Sequence, residues 1–199
     1  FTGFDQQFLN TWAFINGKLQ GLPTGLNVYT VIVNKTFMER EGLPVKKEWT
    51  WESILEEGTR LHQKNSNYYL LNQEVTSTSE KIIMPYHAQL TGRQLVNEDF
   101  TLGFDKASIT QTFAYLKSLY DNGVLQPLGE SSLFNDKTEQ NPKWINGEAA
   151  MTIAYSSDIT KHVGTASNFE ITTTRFPILE NAKDTGIVVR PPQFISINK

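Results

Sequence analysis

The chain contains no cysteine, only three histidines and three methionines in 199 residues, and no excess of basic side chains. The missing thiols exclude disulfides, thiolate metal sites and cysteine nucleophiles together. Eighteen Lys and Arg stand against 21 Asp and Glu, for a net charge of −3 and a pI near 5.7. That balance argues against a nucleic-acid partner, whose usual signature is a basic patch or a pI above roughly 9. Apolar runs such as Val31-Ile32-Val33 are short, far below the roughly 20 residues that cross a bilayer. No phosphate loop, dinucleotide fingerprint, nucleophile elbow or His-Glu-x-x-His helix occurs. His62, His87 and His162 form no pair at metal-ligand spacing, so no metal and no cofactor is expected. The opening residues Phe1-Thr2-Gly3-Phe4-Asp5 carry neither an initiator Met nor a basic and apolar leader. The chain is therefore expected to be cut from a longer one.

What is present is an ordinary globular composition, 39% hydrophobic and 20% charged, at a length that suits one large domain or two small ones. Helix and strand signals alternate, which indicates α/β architecture. A helix is expected over Phe4–Ile15, with Phe4, Phe8, Leu9, Trp12 and Ile15 on one face and Asn16-Gly17 as its stop. Strands are expected at Lys18–Leu22 and Val28–Val33, and a short helix over Lys35–Glu41 closed by Gly42. Thr50 should cap a helix reaching Lys64 with Ile54, Leu55, Gly58, Leu61 and His62 inward. Further elements are a strand at Tyr68–Leu71, a helix from Ser79 to Leu90 and a hairpin or loop over Gln94–Phe104. A helix over Lys106–Asn122 follows, its stripe drawn by Ile109, Phe113, Leu116 and Tyr120. A helical piece should precede Gly147, a strand cover Ala150–Ala154 and a helix begin near Ser156. Phe169–Phe176 and Gln193–Asn198 should be the last strands.

Charged clusters offer little chemistry. Glu39, Glu41, Glu56 and Glu57 fall on helices where solvated charge is the default, and no carboxylate pair marks a glycosidase. Asn97, Asp99 and Asp105 fail calcium-loop spacing, since Gly103 falls seventh instead of sixth. Asn34-Lys35-Thr36 is formally a glycosylation sequon, but it closes a strand. Aromatic residues make up 12% of the chain. Trp12, Trp51 and Trp144 sit among apolar neighbours and read as core, while Trp49 reads either way. Tyr155 differs, because it ends an apolar strand ahead of the polar turn Ser156-Ser157-Asp158. In α/β sheets the carboxyl ends of strands face the ligand crevice, and flat aromatic faces suit sugar rings.

Four blocks in order resemble the family 1 extracellular solute-binding proteins, the sugar receptors of ABC importers. Asn16-Gly17-Lys18-Leu19 with Gly21-Leu22-Pro23 is similar to the family's "N-G-K-L-x-G-x-P" strand. Val33-Asn34-Lys35 and Thr50-Trp51-Glu52-Ser53 are similar to its "Y-N-K" and "T-W-x-E", with Val33 and Ser53 departing from the common Tyr and Glu. Gly103-Phe104-Asp105 leads into Leu116–Gly123, and Trp144–Ile153 is similar to "F-x-x-G-x-A-A-M". Together they span nearly the whole chain.

The resemblance implies a periplasmic-binding-protein-like type II α/β fold: one nearly complete lobe, hinge strands and remnants of the other lobe. Residues 1–25 would be the tail of the first lobe, 26–176 the second lobe and 177–199 the return toward the first. It implies an extracytoplasmic, non-enzymatic receptor for a small-molecule solute, most simply an oligosaccharide, delivered to the membrane permease of an ABC importer. Anchoring through an upstream lipidated segment and self-association through exposed edges are further expectations. By location, the implied ligand contacts are Asn27 on the crossing strand, Tyr155, Ser156, Ser157 and Asp158 after the A-A-M strand, and Glu80 before Pro85. Tyr155 would supply the aromatic face, since Ser157 stands where the family places a stacking tryptophan. A carboxylate-dependent carbohydrate hydrolase, a receptor for a peptide or polyamine, and a protein-interaction module with an exposed apolar patch remain the rival readings.

Overall fold

In the computed structural model, residues 3–196 are described. Asp5 opens helix α1 (Gln6–Trp12) by accepting from the Phe8 N–H at 2.7 Å, satisfying one of the free donors of the first turn. The helix stops three residues short of the expected Ile15. Phe14–Ile15 (β1) instead folds back antiparallel on Lys18–Leu19 (β2), with Asn16 and Gly17 at φ 50° and 72° between them. Asn-Gly is the pair that a two-residue hairpin turn favours, so it acts here as a hairpin signal and not as a helix stop. Of the expected apolar stripe Leu9 is buried, whereas Trp12 is 38% and Ile15 61% exposed. Trp12 is therefore not a core residue of the described structure.

After β3 (Leu22–Pro23) comes β4 (Tyr29–Asn34), then α2 (Lys35–Glu41), α3 (Trp51–Lys64) and β5 (Tyr69–Leu71). A long helical stretch follows as α4 (Val75–Thr78), a π-helical turn over Ser79–Ile83, and α5 (Met84–Thr91). It begins four residues earlier than expected, because the Glu74 carboxylate caps it by accepting from the N–H groups of Thr76 and Ser77. The wide turn has a cause in the sequence. Pro85 has no N–H to give, and in a regular helix its ring would meet the Lys81 carbonyl. The chain widens instead, with the Met84 N–H reaching the Ser79 carbonyl.

The remaining helices are α6 (Lys106–Asp121), α7 (Leu128–Ser131), α8 (Pro142–Ile145) and α9 (Ile159–Thr165). The remaining strands are β6 (Ala149–Tyr155), β7 (Ile171–Thr174) and β8 (Phe194–Ile195). The loop over Gln94–Phe104 is a small hairpin held by a Val96–Leu102 bridge. In α6 the buried positions are Thr112 and Leu119, and Phe113 is 49% exposed. Leu116 and Tyr120 of the expected stripe do pack against the main core, joined there by Tyr115, which stacks on Tyr86 with ring centroids 4.4 Å apart. The final strand is only two residues long, and the Ile197 and Asn198 expected within it lie outside the described residues.

The central sheet has the order β5-β6-β4-β7, with β5 and β6 parallel and the other pairs antiparallel. On β4 the side chains alternate. Val31 and Val33 join Trp51, Ile54, Leu71, Met151 and Ile153 in the main core, while Ile32 packs with Trp144 and Ala154 on the opposite face. Both faces at the centre of the sheet are covered, which is why β4 and β6 read as near-continuous apolar runs. Trp49, ambiguous in the sequence, is fully buried in the main core.

The segment after β7 returns across this lobe. Gln89, fully buried on α5, accepts from the Trp51 indole and the Leu179 N–H, both at 2.8 Å. It donates to the carbonyls of Pro177 and Thr185 at 2.9 and 2.8 Å. Beyond this anchor, Arg190 pairs antiparallel with Asn27, and β8 with β3. Two antiparallel connections, 22–27 and 190–195, therefore leave the lobe side by side.

Candidate functional site

Topology brings three chain segments to one end of the central sheet. β5 and β6 run parallel and β4 runs against them, so the start of β4, the end of β6 and the end of β5 lie together. Asn27 precedes β4, Tyr155–Asp158 follow β6, and Asn72–Lys81 follow β5. The segments after β5 and β6 line a cleft of about 220 Å³ whose wall includes Glu80, Lys81, Tyr155, Asp158, His162 and Arg190.

Five of the six residues expected from the sequence are joined here by hydrogen bonds into two adjoining groups, and Asp158 lines the same cleft with partners of its own. In the first, the Asn27 carbonyl oxygen accepts from Ser156 Oγ and the Ser157 N–H, each at 3.0 Å, and its amide donates to Ser157 Oγ at 2.9 Å. Asn27 is buried, and it fastens the β4 entry to the turn after β6. In the second group, the Tyr155 hydroxyl donates to Glu80 Oε1 at 2.5 Å and lies 3.2 Å from the Tyr29 hydroxyl. Asp158 accepts from Lys161 at 2.9 Å, and its carbonyl receives the His162 Nδ1–H at 3.0 Å. That bond leaves His162 Nε2 as the acceptor facing Thr138.

Arg190 and Lys81 were not visible as site residues in the sequence. The Arg190 guanidinium lies 4.0 Å above the Tyr155 ring centroid, and Lys81 Nζ lies 5.9 Å from it. Tyr155 is only 6% exposed, with Tyr29 packed beside it at 4.7 Å between ring centroids. Its π-face is thus in contact with a cation, a pairing worth about 0.5–2 kcal/mol. Arg190 had a weak signal, as the one charge between Val188-Val189 and Pro191-Pro192. Lys81 had none, since its orientation follows from the π turn.

Burial dominates the titration of these groups. It pushes the Tyr155 phenol far above its ordinary 10, reinforced by the bond to Glu80, and so keeps it a donor. Burial likewise lifts Tyr29 to about 12. It pulls the Lys81 amine below 10.5, against the pull of Glu80, Asp158, Glu74 and Asp136. It also holds His162 below 6.5. Among the described residues no group of acidic and histidine side chains has the geometry of a metal site. The cleft can therefore offer carboxylate acceptors, two cations and a phenol edge to a polar ligand, while a packed sheet closes it from below.

Behind the wall, buried amides hold the loops in place. Asn72 donates to the Thr138 carbonyl, Asn141 donates to Asn72 and Gln126, and Gln73 donates to Thr152 and the Ile153 carbonyl. Sequence patterning gave no signal for this network, because isolated Asn and Gln after a strand read as ordinary loop residues.

The chain is similar throughout to solved receptors. A periplasmic solute-binding protein from Pectobacterium atrosepticum SCRI1043 is 27% identical with a TM-score of 0.86, over 100% of this chain and 50% of that one. A periplasmic oligogalacturonide-binding protein from Yersinia enterocolitica, solved with saturated digalacturonic acid, is 26% identical with a TM-score of 0.84, over 98% and 48%. A de novo designed cysteine esterase is 25% identical with a TM-score of 0.84, over 98% and 48%; this chain has no cysteine to match it. The chain spans about half the length of each of these proteins. Residues 2–196 match the family model described as bacterial extracellular solute-binding protein, and the chain belongs to that family.

Proposed function

We propose that this chain supplies one lobe and the hinge segments of an extracytoplasmic receptor that hands a carbohydrate to the permease of an ABC importer. Residues 26–176 form the ligand-bearing lobe in this reading, and residues 1–25 and 177–199 belong to the connection with a second lobe. The observation that carries it is the convergence of Glu80, Lys81, Tyr155, Asp158 and Arg190 around one polar cleft beside the paired segments 22–27 and 190–195. The oligogalacturonide bound by the Yersinia relative supports a saccharide as the solute. Closure of two lobes on the ligand would bias a hinge equilibrium, and the closed form would be the one the permease accepts. The protein acts by binding and release without turnover. In isolation the 199-residue chain self-associates through its exposed Ile15, Leu26 and Ile195, which light scattering would register.

A thermal-shift panel on the full two-lobed protein tests the function. A rise of several degrees with one class of mono-, di- or trisaccharide is the expected result. No shift with any saccharide, but a shift with peptides or polyamines, would keep the receptor and discard the sugar. Release of reducing ends from an oligosaccharide would overturn binding without turnover.

A further inference from the structure

We propose that Lys81 and Arg190 form, over the Tyr155 ring, a subsite for the carboxylate of an acidic sugar unit. The proposal rests on the carbohydrate-receptor reading and specifies its substrate class. Two cations lie against one aromatic ring, at 4.0 and 5.9 Å from its centroid. Among the described residues one carboxylate pairs with either of them, Glu80, 3.5 Å from Arg190. Glu80 is also taken up by the Tyr155 hydroxyl. The Lys81 ammonium has no ion-pair or hydrogen-bond partner at contact distance among the described residues.

The other acids around the cleft are Glu74, Asp136, Glu139 and Asp158. Glu74 closes the N-terminus of α4 through two backbone N–H groups, and Asp158 holds Lys161. Asp136 and Glu139 lie on the opposite loop and remain available for sugar hydroxyls, which they can accept in pairs. The local excess of donors is therefore at Tyr155, where a planar guanidinium presents five N–H groups and an ammonium three. A guanidinium suits a planar carboxylate in particular, because it can meet both oxygens with parallel bonds. Burial disfavours the Lys81 charge and the carboxylates around the cleft only partly offset it; a ligand carboxylate in direct contact with Lys81 and Arg190 would add the paired counter-ion that Lys81 does not have.

The position of Arg190 adds a consequence. Its backbone exchanges two hydrogen bonds with Asn27, at 2.7 and 3.0 Å, so a ligand held by its side chain is tied directly to the paired connections. An acidic ligand would thereby engage the hinge as well as the lobe.

Calorimetric titration of the full two-lobed protein with digalacturonate and with its dimethyl ester tests the subsite. The ester keeps the shape and hydroxyls and removes the charge. The expected result is tenfold or greater preference for the acid, as for loss of a charge-assisted hydrogen bond. Lys81→Met should weaken binding of the acid more than binding of the ester and so erase most of that preference, and Lys81→Arg should retain it. Equal affinity for acid and ester, or a preference unchanged in Lys81→Met, would overturn the subsite and leave the sugar receptor standing. Binding of neither ligand, together with no response to any saccharide, would overturn both.

Discussion

Single side chains in this protein do more than their type suggests, and His162 is a clear case. It is buried against Trp144, with ring centroids 5.4 Å apart, and fixed by the Asp158 carbonyl. Because burial lowers its folded-state pKa below 6.5, the unfolded chain takes up the proton first as pH falls. Stability is then complete above about 6.5 and declines below it, until the folded-state pKa is also passed. His162→Gln should flatten that acid limb in melting curves between pH 7 and 5, and a limb of unchanged slope would assign the decline to other groups. Gln89 acts in a different way. Replacing it with Leu strands the Trp51 indole, the Leu179 N–H and the carbonyls of Pro177 and Thr185. At about 1–3 kcal/mol for each unsatisfied group, and with partial rescue by water, a loss of about 3 kcal/mol or more is expected in urea unfolding. A loss below about 1 kcal/mol would mean that the 177–185 segment is not anchored there. Neither role was legible beforehand, because the burial of His162 against Trp144 and the partners of Gln89 are set by segments distant in the chain. The Tyr155 turn was legible, since an apolar strand ending in an aromatic and a polar turn is a local pattern.

At the scale of elements, legibility followed how local the determinant is. Helices α2 and α3 were readable to the residue, because Gly42 at φ 70° and the Thr50–Ser53 capping box are written into adjacent positions. Helix α1 was misjudged in length and α6 at Phe113, the exposed position of its stripe, because a neighbouring hairpin and the stacking of Tyr115 on Tyr86 decide them. The π turn lies between these cases: Pro85 announces a defect, but only packing shows that Glu80 and Lys81 emerge from it into the cleft. Gly58 of α3 makes the packing argument testable. A β-carbon there would lie 2.6 Å from Val124 Cγ1 and 3.1 Å from Leu70 Cβ, closer than real contacts allow. Gly58→Ala gains about 1 kcal/mol in helix propensity and incurs an overpacking penalty of about 1–3 kcal/mol. With two stiff neighbours the penalty should win, giving a net loss of about 1 kcal/mol and a melting temperature lower by a few degrees. A stabilised variant would show that α3 can slide away from β5.

For the whole molecule the governing fact is that the cleft opens beside two strand connections, with one lobe forming its floor. The chain covers about half of its solved relatives, and a ligand seated on this lobe would leave much of its surface in water. That geometry sets an upper limit on what the 199 residues can do alone. A receptor of micromolar affinity has about 8 kcal/mol of binding free energy. If one lobe makes roughly half of the contacts, while the loss of translational and rotational freedom is nearly the same for one lobe as for two, more than half of the net affinity disappears. The isolated chain should therefore bind its solute no more tightly than about millimolar, or about 4 kcal/mol. An NMR titration of the 199-residue chain measures this directly, with shifts expected around Tyr155, Lys81 and Arg190 only at high ligand concentration. Saturation at a few micromolar would mean that Tyr155, Arg190 and Lys81 already form a complete site. Under the proposed receptor function, lobe closure would then contribute little to capture.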